Sequence, residues 1–199
     1  MKLYLASGNQ HKADEIQAAL KVTAPQVQVL LPGGGMPFVV EDADTFDGNA
    51  ALKAEVIMSE LREGEWVMAD DSGLVVDALD GKPGVYSSRY AGENADDHAN
   101  MDKLLDRLSD VADGERNACF VCCIMLMDTE RNRHVFYGEC EGVIAKEKSG
   151  SHGFGYDPIF IPNGYDKSFA ELGDDVKSKI SHRAIALSLL ANWVNSGQK

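Results

Sequence analysis

The chain has 199 residues, with 32 Asp plus Glu against 19 Lys plus Arg, a formal charge of −13 and 44% hydrophobic residues. That length suits a single domain over 1–199, and the ordinary apolar and charged fractions exclude disordered, collagen-like and disulfide-scaffold classes. The acidity disfavours non-specific association with DNA, RNA or anionic lipid, the apolar run 118–127 is half the roughly 20 residues that a membrane-spanning helix needs, and the N-terminus lacks the apolar segment of a secretory signal. A cytoplasmic protein with no nucleic-acid or membrane partner is the expectation.

In chain order, residues 2–6 read as a short apolar strand broken by Ser7-Gly8-Asn9, after which Ala13, Ile16 and Leu20 recur at helical spacing. Residues 27–31 read as a second strand running into the glycine-rich loop 32–35, and 38–41 as a further short strand. Thr45 opens a helix ending near Gly64, with Phe46, Ala50, Ala54, Ile57, Met58 and Leu61 as its apolar stripe. Asn49 and Lys53, four apart, share another face, expected to be exposed. Residues 66–69 form a strand that stops at Asp70-Asp71-Ser72-Gly73, and 74–76 resume extended character. A helix follows over 96–108. Segments 118–127 and 134–145, joined by a polar connection, predict a β-hairpin, and 150–158 form a second glycine-rich loop. A last helix starts near Ser181, with Ala186, Leu189, Leu190 and Trp193 at core spacing. Strand, helix, strand stretches combined with a hairpin imply an α/β fold, a mixed twisted sheet flanked by helices.

Several segments could carry chemistry. Ser7 to Lys12 joins a strand to a helix, whose N-terminus offers backbone N–H groups and partial positive charge to an anion. It is neither a Walker A loop nor G-x-G-x-x-G, so an ordinary turn with a solvated lysine stands beside a phosphate cradle. Asp70-Asp71 falls at a strand's carboxyl end, where open α/β sheets bind ligands, and paired acids suit Mg²⁺. Adjacent strand side chains diverge, so one of the two would face the site; the alternative is a turn of Asp and Ser capping its own backbone. Glu41-Asp42-x-Asp44 is a second acidic group, and it fails as an EF-hand because the ligand and glycine positions fall on Phe46, Asp47 and Lys53. Lys177, Lys179, His182 and Arg183 form a basic cluster, either an anion site or a solvated turn. Phe154 and Tyr156 lie in a glycine-rich loop, where a ring can stack on a base or simply pack. Cys119 and Cys122 have the spacing of half a zinc site, but residues three apart in a buried strand point to opposite faces. These two, with Cys123 and Cys140, are expected to be buried and reduced.

Together these segments resemble the inosine triphosphate pyrophosphatase family. The stretches that carry the resemblance are Ser7-Gly8-Asn9-x-x-Lys12, Asn49-Ala50-x-x-Lys53-Ala54, Ala69-Asp70-Asp71-Ser72-Gly73-Leu74, Tyr86-Ser87-Ser88-Arg89-Tyr90, Gly153-Phe154-Gly155-Tyr156-Asp157-Pro158 and Ser181-His182-Arg183, in the family's order and across nearly the whole chain. The resemblance implies two lobes around a central active-site cleft, a homodimer, and Mg²⁺-dependent hydrolysis of ITP, dITP and XTP to the monophosphate and pyrophosphate. By position it implies that Ser7, Gly8, Asn9 and Lys12 form the triphosphate loop, with Lys53 a second phosphate-binding lysine. Asp71 matches the proton acceptor and a metal ligand, Glu41 another metal-site acid, and Ser72 a substrate contact. Phe154, Gly155, Tyr156 and Asp157 match the base-binding loop, and Lys177, His182 and Arg183 the base end of the pocket.

Three other readings compete, one of them a purely structural acidic domain, which would leave the C-terminal basic cluster and the polar glycine loops without a purpose. A pyrophosphatase of the Maf type would act on pyrimidine or modified nucleotides, and a non-catalytic nucleotide sensor would bind triphosphate without releasing pyrophosphate.

Overall fold

In the computed structural model, which describes residues 1–197, the alternation of strand and helix takes the form of one six-stranded mixed sheet flanked by helices. The elements are β1 (Lys2–Ala6), α1 (Gln10–Thr23), β2 (Gln28–Leu30), α2 (Phe46–Ile57), β3 (Glu65–Val76), α3 (Asp97–Arg107), β4 (Asn117–Asp128), β5 (Arg133–Ile144), β6 (Phe160–Pro162), α4 (Phe169–Leu172), α5 (Asp174–Ile180) and α6 (His182–Asn195). Strand order is β2-β1-β3-β4-β5-β6. β1 runs parallel to both β2 and β3, while β5 and β6 are antiparallel.

The chain divides into two compact units. The first comprises Met1–Asp71, Cys122–Gly138 and Arg183–Lys199, and the second Ser72–Val121 and Glu139–His182. In the first unit the alternation of side chains along a strand separates two apolar layers. Leu3, Leu5, Trp66 and Met68 pack with Ala13, Ile16 and Leu20 of α1 and with Ala186 and Leu190 of α6. The intervening positions, Ala6, Val67 and Ala69, pack with Ala50, Ala54 and Ile57 of α2. Full burial of Ile16 and Leu20 contributes about 1.5 to 3 kcal/mol each. Asn9 caps α1 by accepting from the Lys12 backbone N–H, and Thr45 caps α2 through the Gly48 N–H. The second unit has its own core, in which Leu74, Val76, Met101, Leu104, Phe120, Phe160 and Phe169 are buried together.

The structure departs from expectation at four places. β3 runs unbroken from Glu65 to Val76, so Asp70 and Asp71 lie within a strand; their carboxylates engage distant side chains, and the turn reading needed them for local capping. Residues 38–41 form no strand, and Phe38 and Val40 are exposed at 91% and 60%, leaving no packed face to hold one. α2 is shorter than expected, tightening into a 3₁₀ turn at Met58–Glu60. Leu189 is half-exposed and is not part of the core that holds Leu190.

Candidate active site

Register places the chemistry. In the parallel pair, Ala6 lies opposite Ala69. β1 ends there and turns through Ser7-Gly8-Asn9 into α1, while β3 continues into Asp70 and Asp71. The paired acids thus sit just past the carboxyl end of β1, in line with the general position of ligand sites on α/β sheets. Parity then separates them. Asp70 follows Trp66 and Met68 onto the α1 and α6 side, and Asp71 follows Val67 and Ala69 onto the α2 side.

Each acid meets cations from the helix it faces. On the first side, Lys12 Nζ lies 2.9 Å from Asp70 Oδ2, and Arg183 Nη2 lies 3.5 Å from the same oxygen. Arg183 also pairs with Glu15 at 2.5 Å. On the second side, Lys53 Nζ stands 3.0 Å from Asp71 Oδ1 and 2.8 Å from Glu41 Oε2. The Asn49 side-chain amide donates to Asp71 Oδ2 at 3.3 Å. Asn49, Lys53, Asp70, Asp71 and Arg183 are all buried, so the face carrying Asn49 and Lys53 is internal, contrary to the expected exposure. Buried charges persist only when paired, and every one of these is.

Burial alone would raise the Asp70 carboxyl, but Lys12, Arg183 and Lys53 hold it well below the usual carboxylate range. Asp71 moves the other way: burial outweighs the Lys53 and Lys12 charges, Glu41 adds to the rise, and the group stands above its ordinary value. Burial would lower Lys53, yet Asp71, Asp70 and Glu41 together raise it. Adjacent acids therefore have opposite character, one a fixed anion and the other a better proton acceptor.

The second unit assembles another group. Asp157 Oδ2 accepts from the Phe154 backbone N–H at 2.9 Å and from Lys177 Nζ at 2.7 Å, and that ammonium lies 4.3 Å from the centre of the Phe154 ring. The Gly155 N–H donates to Asp97 at 2.7 Å, and the Tyr156 hydroxyl donates to the Ser87 carbonyl at 2.8 Å. Gly153 has φ +76, and a Cβ there would fall 2.0 Å from Asp157 Oδ2, so only glycine lets the loop close on that carboxylate. His182 is buried and stacks on Phe120 with ring centroids 4.8 Å apart.

The structure therefore gathers Ser7, Gly8, Asn9, Lys12, Glu41, Lys53, Asp71 and Arg183 in the first unit, and Ser72, Phe154, Gly155, Tyr156, Asp157, Lys177 and His182 in the second. Ser7 Oγ accepts the Asn9 N–H at 3.2 Å, shaping the loop before α1. Of the three neighbouring acids, Glu41 reaches Lys53, whereas Asp42 and Asp44 are exposed. The basic cluster does not act as one patch: Lys177, His182 and Arg183 are buried with separate partners, and Lys179 is exposed. Arg183, expected at the base end, pairs with Glu15 and Asp70 in the part of α6 that packs beside α1. Sequence reasoning missed Glu15, Asp97 and the role of Asp70. Glu15 carried a signal, lying three residues after Lys12 on the same helix face; Asp97 carried none, its partner being 58 residues away. All four cysteines are free thiols, with Cys122 and Cys123 fully buried on opposite sides of the sheet.

Comparison with known proteins gives concordant matches. The model of the Ham1 family matches residues 3–193. A dITP/XTP pyrophosphatase of Opitutus terrae is 51% identical over 97% of this chain and 98% of its own length, and one of Porphyromonas gingivalis is 47% identical over 97% of each. Among solved structures, a HAM1 protein from Coxiella burnetii superposes with a TM-score of 0.88 at 37% identity, covering 98% of this chain and 99% of its own. The Staphylococcus aureus Ham1 protein gives 0.86 at 40% identity, with 100% of both chains covered.

Proposed function

The chain belongs to the Ham1 family, and from that premise we propose that it is a nucleoside triphosphate pyrophosphatase, hydrolysing the non-standard purine nucleotides ITP, dITP and XTP to monophosphate and pyrophosphate, with Mg²⁺, as a homodimer, in the cytoplasmic nucleotide pool. The observation that carries the reading is the Lys53 ammonium held between Glu41 and Asp71, beside a second acid bound to Lys12.

The donor set suits a hard divalent cation. Positive charge already sits between two carboxylates there, and among the described residues no three His, Cys, Asp or Glu side chains gather into a metal cage. Mg²⁺ is commonly held by one or two carboxylates, with water and substrate phosphates completing the shell. Glu41 and Asp71 would hold it. When bound, the ion would supply neutralisation of charge on the leaving pyrophosphate and would make the attacking water more acidic.

The remaining steps belong to the chain. Asp71, with its raised proton affinity, accepts the proton of the attacking water. Lys12 and Lys53, with Ser7, Gly8, Asn9 and the start of α1, receive the triphosphate; an incoming anion would compete with Asp70 for Lys12 and with Glu41 for Lys53. Ser72, next to Asp71, contacts substrate. Phe154, Gly155, Tyr156, Asp157, Lys177, His182 and Arg183 take the base, the Phe154 ring by stacking and donors from His182, Arg183 or backbone N–H groups by recognising the 6-oxo acceptor of hypoxanthine and xanthine. A site built on such donors leaves adenine with unpaired buried groups, a basis for about 10⁴-fold discrimination. Arg183, as the resemblance implies, belongs to the base end, and it also balances the charge of Asp70.

The test is pyrophosphate release from ITP, XTP, GTP, ATP and dUTP with and without Mg²⁺. Mg²⁺-dependent release from ITP and XTP well above ATP and dUTP is expected. Preference for dUTP would favour a Maf-type enzyme, and binding without release a sensor; either result would overturn the proposal. Sedimentation of the purified protein at twice the chain mass is expected for the dimer.

A further inference from the structure

We propose that Asn49 is a positioning residue that ties the Glu41-bearing segment and the Asp71 carboxylate to one turn of α2; this rests on the function proposed above. Asn49 is fully buried, and both ends of its amide are committed. Its Oδ1 accepts the Ala43 backbone N–H at 3.0 Å, and its Nδ2 donates to Asp71 Oδ2 at 3.3 Å. The orientation of the amide is dictated by chemistry: a backbone N–H can only donate and an ionised carboxylate only accept, so oxygen must face Ala43 and nitrogen Asp71.

The segment that this bond holds has no helix or strand of its own. Residues 31–45 contain neither between β2 and α2, and the Ala43 N–H to Asn49 contact lies two residues after Glu41. Gly48 makes the approach feasible, because a Cβ there would lie 2.7 Å from Ala43 Cβ and 2.9 Å from Thr45 Oγ1. Asn49 precedes Lys53 by one helical turn, so the two stand on the same face. They divide the Asp71 carboxylate between them: Lys53 takes Oδ1 and Asn49 takes Oδ2. Lys53 in turn grips Glu41. Two rungs of one helix thus fix two separate acids: Asp71 through both side chains, and Glu41 through Lys53 and, two residues on, the Ala43 backbone N–H. An asparagine suits the position because it presents a donor and an acceptor on one short, neutral side chain.

Two variants and one direct measurement separate this role from simple packing. Asn49→Asp keeps the acceptor for Ala43 but turns a second carboxylate on Asp71; Asn49→Ala removes both arms. For each, kcat and KM for ITP are measured at saturating Mg²⁺, and exchange of the Ala43 amide is followed in metal-free protein. Both variants are expected to lose about 10- to 100-fold in kcat, as for removal of an outer-shell partner, with KM within about threefold. Ala43 exchange should stay at the wild-type rate in Asn49→Asp and rise at least about tenfold in Asn49→Ala. The proposal is overturned if kcat of either variant stays within about twofold, if KM rises while kcat holds, or if the Ala43 amide of the unsubstituted protein exchanges like an exposed one. The last outcome can be read even if neither variant folds. Failure of the underlying function looks different: wild-type protein would release no pyrophosphate from ITP, or Asp71→Asn would match it, whatever the Ala43 exchange.

Discussion

Asp71→Asn keeps the size of the side chain and its place beside Lys53, and removes the oxygen that takes the proton. Turnover of ITP is expected to fall about 10²- to 10⁴-fold, the usual contribution of a general base, with KM changed less than about threefold; a variant retaining near wild-type kcat would remove the assignment. Asp70 makes a different prediction, because its carboxyl is held below the ordinary range by Lys12 and Arg183 against the pull of burial. A depressed carboxyl contributes stability that is fully present above its unfolded value of about 3.9 and is lost as pH falls below it. Denaturant midpoints should therefore drop between about pH 4 and pH 2, and Asp70→Asn should flatten that drop. Asp71, with its raised carboxyl, has the opposite sign: its burial cost is relieved as pH falls towards about 3.9, above the window in which Asp70 loses its contribution. The divergence of the two acids was legible in the sequence, since it needs only strand alternation. Which acid meets which cation was not: it depends on α1, α2 and α6 choosing sides of the sheet, and no local pattern encodes that choice.

Helices with a cap and three or more apolar positions at regular spacing were readable. Ala13, Ile16 and Leu20 are the buried residues of α1, and Thr45 and Asp96 are the caps of α2 and α3. Short elements were not. α4 and α5 are 4 and 7 residues long, too few to show a period, although Ser168 and Glu171 spell the capping box that starts α4. The strand expected at 38–41 rested on apolar composition, which cannot tell a packed residue from an exposed one. At this scale the loop after β5 gives a sharp test. Gly153→Ala would drive a Cβ into Asp157 at a positive φ, displacing the carboxylate that holds both the Phe154 N–H and Lys177. KM for ITP should rise about tenfold or more, with a smaller change in kcat. Thr45→Ala should cost about 1 kcal/mol of stability through the lost cap, read as a shift in the denaturant midpoint.

Across the whole molecule, the net charge of −13 and the paired cations are complementary facts: Lys12, Lys53, Lys177 and Arg183 each have carboxylate partners, and the surplus acid lies elsewhere. The sequence made the α/β class and the mixed sheet legible, because strand and helix periods alternate along the chain. The division into two units was harder to see, since each is assembled from separated segments. β3, β4 and β5 each begin in one unit and end in the other. Because three continuous strands are shared, denaturant unfolding followed by tryptophan fluorescence and by circular dichroism should give one coincident transition; two separated transitions would show that the units melt independently.

The middle of β4 also supplies the protein with its own probe of opening. Burial lifts the Cys122 and Cys123 thiols to about 12, and those of Cys119 and Cys140 to about 11. At neutral pH the reactive thiolate form is then on the order of one molecule in 10⁴ or fewer, so alkylating reagents would find little to attack in the native fold. The rate at which the two central sulfurs become labelled would count the excursions in which the sheet parts, and nucleotide bound next to Asp71 should slow that clock without touching either sulfur.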